Sequence, residues 1–140
     1  MGINTYTPDS NKIVHKTKVD FVKRIVPERI HIVQYDSVIP VIAVNLYTNG
    51  DIQVLPNDPL IDMKVRWSKN GRDFTHKDIL GCNQARNIVY FSIDSEMSEQ
   101  YGVYYPILEL VVPVNDTFDR VGSSSMIFEV HQNPIEEGGI

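Results

Sequence analysis

The sequence predicts an all-β fold, an antiparallel, immunoglobulin-like β-sandwich of about seven or eight strands with one short helix. Three observations predict it. Apolar residues alternate with polar ones in several short runs, as they do when successive side chains point to opposite faces of a sheet. Turn-forming pairs, Asn49–Gly50 and Asn70–Gly71, close two of those runs. Helix-start signals occur in a single stretch, "SEMSEQYG".

Taken in order, the polar start from Met1 to about Lys12 reads as a loose arm. "HKTKVDFVKRIV" suits either period. We read Thr17 to Lys23 as a strand, because Pro27 would close a helix. "RIHIVQY" alternates, with Ile30, Ile32 and Gln34 on one face and His31, Val33 and Tyr35 on the other. "PVIAVNLYT" is apolar and β-branched, and it ends at Asn49–Gly50. "DIQVLP" is a short strand stopped by Pro56. "IDMKVRWSK" is the clearest signal, with Ile61, Met63, Val65 and Trp67 on one face and Asp62, Lys64, Arg66 and Ser68 on the other. "NIVYFSID" follows. Asp94 or Ser95 can cap the helix, Glu96 and Glu99 suit its positive end, and Gly102 can terminate it. "GVYYPILELVVPV" is a long strand in which Pro106 and Pro113 mark an edge, bulge or end, and "SSMIFEVHQ" is the last strand. The expected organisation is an arm with the first strand over residues 1–26, the sandwich over 27–135 and a tail at 136–140.

A chain of 140 residues with 42% apolar composition is one domain's worth and can bury a real core. Its net charge of −5 argues against a dedicated nucleic-acid binder, whose field must be positive. One cysteine makes no internal disulfide, so no oxidising compartment is implied. No stretch reaches the roughly 20 apolar residues of a membrane helix. "MGINTYTPDSNK" lacks the apolar region of a signal peptide, and Tyr6 stands where a myristoylation signal wants Ser or Thr.

No chemistry-bearing motif emerges, so no catalytic, metal or cofactor residue is expected. A catalytic thiol needs a base within reach. Cys82 has no local signature of a cysteine enzyme, and we read it as a small buried side chain at a glycine turn. His15, His31, His76 and His131 are scattered and offer no paired metal ligands. "PNDPLID", with Asp58 and Asp62, reads as a turn rather than a calcium loop. "GSSSM" lacks the second glycine of a nucleophile elbow and reads as a loop before the last strand. Trp67 with Tyr35, Tyr47, Tyr90, Tyr101, Tyr104 and Tyr105 has the makings of a sugar-stacking platform, although Trp67 lies on the apolar face of its strand. A carbohydrate-binding module is therefore the alternative to a protein-docking domain.

Four stretches, in this order and spacing, resemble a known family: "HIVQYDSVIPVIAVNLYTNG", "LGCNQARNIVYFSI", "YGVYYPILELVV" and "GSSSMIFEVHQNPIE". The family is the N-terminal domain of baseplate upper proteins from phages of Gram-positive hosts, and the resemblance runs from about Arg29 to Ile135. It implies a structural, non-enzymatic sandwich in the virion's tail baseplate, made in the host cytoplasm. Its implied partners are the central tail hub, formed by the distal tail protein, and receptor-binding proteins held by a region further along the chain. Those serve host adsorption, and the full assembly is a homo-oligomer, a trimer. No nucleic acid, membrane or cofactor is implied. Gly81, Cys82 and Asn83 match a structural turn in this family's pattern. The chain departs from the pattern in ending at Ile140, before the trimerising region, and in carrying the extension over residues 1–26, which we expect to reach a neighbouring subunit. Arg66, Arg86, Tyr104 and Tyr105 are the candidate interface anchors, as the aromatic and arginine residues best placed to be exposed.

Overall fold

Strand β5 (Asp62–Ser68) shows how directly alternation becomes structure. Met63, Val65 and Trp67 are buried, and the residues between them are half-buried. The computed structural model describes residues 2–10, 13–33, 40–115 and 117–132, in which nearly all regular structure is β. The remaining strands are β1 (Val14–Asp20), β2 (Ile30–Val33), β3 (Val41–Thr48), β4 (Asp51–Ile52), β6 (Phe74–Asp78), β7 (Gly81–Cys82), β8 (Ile88–Ser92), β9 (Gly102–Tyr104), β10 (Ile107–Val114), β11 (Thr117–Gly122) and β12 (Phe128–His131). One sheet has the order β1-β3-β8-β7, with β4 also on β3; a second runs β11-β10-β5-β6; a third runs β2-β12-β9.

The inward faces of all three sheets meet in a single apolar cluster that includes Val44, Val65, Trp67, Phe91, Leu108, Phe128 and Val130. Phe91 of the first sheet and Phe128 of the third stack with ring centroids 6.0 Å apart. Burying a side chain of this size contributes about 1.5–3 kcal/mol, so the Phe91–Phe128 pair ties the layers together strongly. The chain is thus the all-β sandwich expected from the sequence.

Its topology differs from a purely antiparallel one in two places. β1 runs parallel to β3, from Val14 opposite Val41 to Asp20 opposite Tyr47, and β12 runs parallel to β2. Parallel neighbours need a crossover rather than a hairpin. Here β2, placed in a different sheet, lies within the connection between β1 and β3. The turn signals mark hairpins only.

The strand number also differs, because twelve strands form among the described residues. β6 and β11 are exposed along nearly all of their length, so no apolar face betrays them. β7 has only two residues. The long run expected from Gly102 breaks at Tyr105 and Pro106 into β9 and β10, which belong to different sheets. The first strand lies at Val14–Asp20 rather than at Thr17 to Lys23, because Asp20 turns the chain there. Asn49 and Gly50 both have positive φ, 52° and 88°, and form the two-residue turn between β3 and β4. Asn70–Gly71 instead sits in a longer connection, in which Asn70 Oδ1 accepts the N–H groups of Arg72 and Asp73. The helix is one turn, α1 (Ser95–Ser98), capped by Asp94, whose Oδ1 accepts the Met97 N–H at 3.0 Å. It ends at Glu99, and Gly102 opens β9.

The N-terminal segment is no loose arm. Cys82 N–H donates to the Asn4 carbonyl and Tyr6 N–H to the Cys82 carbonyl, both at 2.8 Å, so the segment extends the first sheet at β7. Ile3 is buried in the core and Tyr6 packs on Tyr90. The segment's apolar side chains thus cover this domain's own edge. The expected faces of Gln34 and Tyr35, and the tail at 136–140, lie outside the described residues.

Candidate functional site

Two solvent faces compete for a functional role, and their chemistry separates them. On the β11-β10-β5-β6 sheet, Glu109 of β10 holds His76 at 3.2 Å and Arg120 at 3.0 Å through the same oxygen. Lys64 pairs with Asp78, and the Arg66 guanidinium lies 4.0 Å over the Phe74 ring. Charges on this face are already matched to one another. Paired charges on an exposed sheet are the ordinary way of keeping an edge and face solvated.

The outer face of the β2-β12-β9 sheet is different. Glu129 of β12 stands opposite His31 of β2 on one side and Val103 of β9 on the other. His131, two residues on, stands opposite Val33. Side chains directly across a ladder share a face, so His31, Val33, Glu129, His131 and Val103 line one surface. Val33 is 43% exposed, Val103 40%, and Tyr105, just beyond β9, 61%. Apolar and aromatic side chains ringed by polar ones are the make-up of a protein interface. Arg29 closes the rim with a 2.6 Å ion pair to Glu129, which holds that carboxyl below its usual range against a smaller opposing effect of burial.

Within this face, His31 Nδ1 lies 2.7 Å from His131 Nε2, and the two rings meet edge to edge, inclined at 25° with centroids 5.0 Å apart. A contact this short between ring nitrogens is a hydrogen bond, so at least one ring presents a bare lone pair. These two histidines had been expected to be scattered. They lie 100 residues apart in the chain, and the parallel β2–β12 ladder brings them together. Sequence spacing carries no trace of such a pairing.

The four expected anchors divide. Tyr105 lies on the candidate face. Tyr104 is buried, with its hydroxyl donating to the Gln100 carbonyl, so it anchors the core instead. Alternation along β9 sends the two neighbouring tyrosines to opposite faces, and the inner one is Tyr104. Arg86 is an internal clamp: Nε donates to the Leu55 carbonyl, Nη2 to that of Pro56 and Nη1 to that of Ile3. Its φ of 59° is set by the turn it closes. Arg66 is half-buried on the charged sheet.

Of the expected turn at Gly81, Cys82 and Asn83, the first two residues instead form strand β7, and the turn begins at Asn83. Gly81 has φ 149°, and a Cβ there would meet the Asn4 carbonyl oxygen at 2.5 Å, so the overlying N-terminal segment requires glycine. Asn83 Oδ1 accepts the N–H groups of Asn87 and Ile88, each at 3.0 Å, and builds the turn into β8. Cys82 is wholly buried; desolvation pushes its thiol pKa up, and the nearby Arg86 cation only partly offsets that. Reactive thiols carry the opposite shift. Two serines of "GSSSM" are staples: Ser123 Oγ accepts the Leu108 N–H, and Ser124 Oγ accepts the Asp20 N–H. Asp58 closes a turn by accepting the Leu60 N–H. Trp67 is buried in the core, which removes the centre of a stacking platform, and Tyr35 lies outside the described residues.

No family model matches the sequence, and no curated protein matches it. Solved structures do share the fold. The N-terminal domain of ORF48 of phage TP901-1, a baseplate protein, superposes with a TM-score of 0.68 over 85% of this chain and 98% of that one, at 7% sequence identity. At this identity the likeness is one of fold, and it agrees with the fold that the family resemblance implied. Among the described residues, no helix is long and apolar enough to cross a membrane.

Proposed function

We propose that this chain is a structural, non-catalytic component of a phage tail baseplate that docks to the central tail hub, the distal tail protein. The carrying observation is the near-complete overlap of its fold with the ORF48 N-terminal domain. The face formed by Val33, Val103 and Tyr105, rimmed by Arg29, His31, Glu129 and His131, is the surface we assign to docking. In this reading the domain joins an oligomeric assembly in the virion, and a region further along the chain supports receptor-binding proteins for host adsorption. The buried, high-pKa Cys82 and the commitment of Ser123 and Ser124 to backbone contacts favour scaffold over catalyst.

The test is capture by the immobilised chain. A lysate of the host after prophage induction is passed over it, and bound material is identified by mass spectrometry. Enrichment of the tail hub protein supports docking. Enrichment of cell-wall glycan without any tail protein would contradict it and move the domain to the receptor-contacting end.

A further inference from the structure

We infer that His31, Glu129 and His131 form a binding site for a zinc-class divalent ion. Each residue offers one ligating atom, an imidazole nitrogen or a carboxylate oxygen, and these atoms all lie within 4.8 Å of one another. The β2–β12 ladder holds all three on one face, His31 directly opposite Glu129 and His131 two residues further. Two imidazoles and a carboxylate are the donors of open zinc sites. Magnesium and calcium take oxygen ligands instead, so the donor set itself selects against them.

The two contacts made by His131 suit the ion with one small movement. Bonds of about 2.0–2.1 Å at tetrahedral angles put neighbouring donors about 3.3 Å apart. Glu129 Oε2 is already 3.4 Å from His131 Nε2. His31 Nδ1 and His131 Nε2, at 2.7 Å, must separate by about 0.6 Å. Both rings are exposed, so side-chain rotation can open that distance. The ion takes the place of the hydrogen bond between the two nitrogens: the donor ring carries its proton on its other nitrogen instead, and both rings ligate as neutral imidazoles. Arg29 Nη1, 2.6 Å from Glu129 Oε1, turns the other carboxylate oxygen toward His131. Such an outer partner orients a ligand, while the guanidinium's charge opposes the incoming cation and keeps affinity moderate. The remaining coordination positions open to water. The site stands on these three side chains alone, independently of what the face docks against.

The experiment titrates the untagged full chain with Co²⁺, following the visible absorption of low-coordinate cobalt, and then displaces cobalt with Zn²⁺. Calorimetry with Zn²⁺ gives the stoichiometry. One ion per chain is expected. His31→Ala and His131→Ala should each weaken binding by more than the roughly 10–100-fold typical of losing an orienting neighbour. Glu129→Gln should weaken it less, and His15→Ala should leave it unchanged. All are exposed or half-buried positions, and circular dichroism verifies that each variant folds. Absence of saturable binding, or binding that persists in the His31→Ala/His131→Ala double variant, would overturn the assignment.

Discussion

The carboxylate of Asp20 accepts the N–H of Gly50 at 2.8 Å across 30 residues of chain. It also accepts from Lys23, Val22 and Asn49, so one side chain fixes the end of β1 to the β3–β4 turn. Desolvation alone would raise its pKa, but the four backbone donors together outweigh it and hold the group at about 2, against an ordinary 3.8. A depressed carboxylate contributes stability above its unfolded pKa and loses it as pH falls through the folded value. Asp20→Asn should therefore lower the melting temperature at neutral pH, with the gap to the natural chain closing between pH 3.8 and about 2. Thermal melts across that window check it. A constant gap would show that the charge is not what the four donors recognise.

Thr17 Oγ1 is buried and has no hydrogen-bond partner among the described residues. An unsatisfied hydroxyl is a standing cost that an isosteric methyl removes. Thr17→Val should stabilise the domain by roughly 1 kcal/mol, read as a higher denaturant midpoint with an unchanged slope.

Asn83 serves two backbone donors and passes its own amide to Asn87 Oδ1 at 2.7 Å. Its replacement by alanine removes the turn's frame. With each of the two backbone bonds worth about 0.5–1.5 kcal/mol, their loss in Asn83→Ala should cost about 1–3 kcal/mol. Asn83→Asp keeps the acceptor oxygen and should cost less.

Cys82 should be silent to thiol reagents in the native state. It is fully buried and lies under the N-terminal segment. Labelling should become fast only when denaturant opens the domain. Rapid native labelling would mean that residues 2–6 leave β7 readily, and it would reopen the question of thiol chemistry.

How far these features were legible depends on where their information lies. The β5 pattern was readable because its alternation is local. So was the capping Asp94, whose partner Met97 is three residues away. The buried Tyr104 and the clamp of Arg86 were not, because each is decided by segments distant in the chain. β6 and β11 escaped because an edge strand exposed on both faces has no period to show. The His31–His131 contact depends on a parallel pairing, which no turn dipeptide announces. The N-terminal segment looked loose from composition alone. Its single buried anchor, Ile3, gains meaning only beside the glycine at position 81.

The most direct measurement of the central claim is the affinity of the purified tail hub protein for surface variants of this chain. Val103→Glu combined with Tyr105→Glu places two charges on the assigned face without touching the core. It should weaken binding by about tenfold or more, or at least about 1.4 kcal/mol. Phe118→Glu on the exposed β11 serves as the comparison and should leave affinity unchanged. The reverse pattern, with the double variant binding normally and Phe118→Glu impaired, would contradict the account and place docking on the β11-β10-β5-β6 sheet.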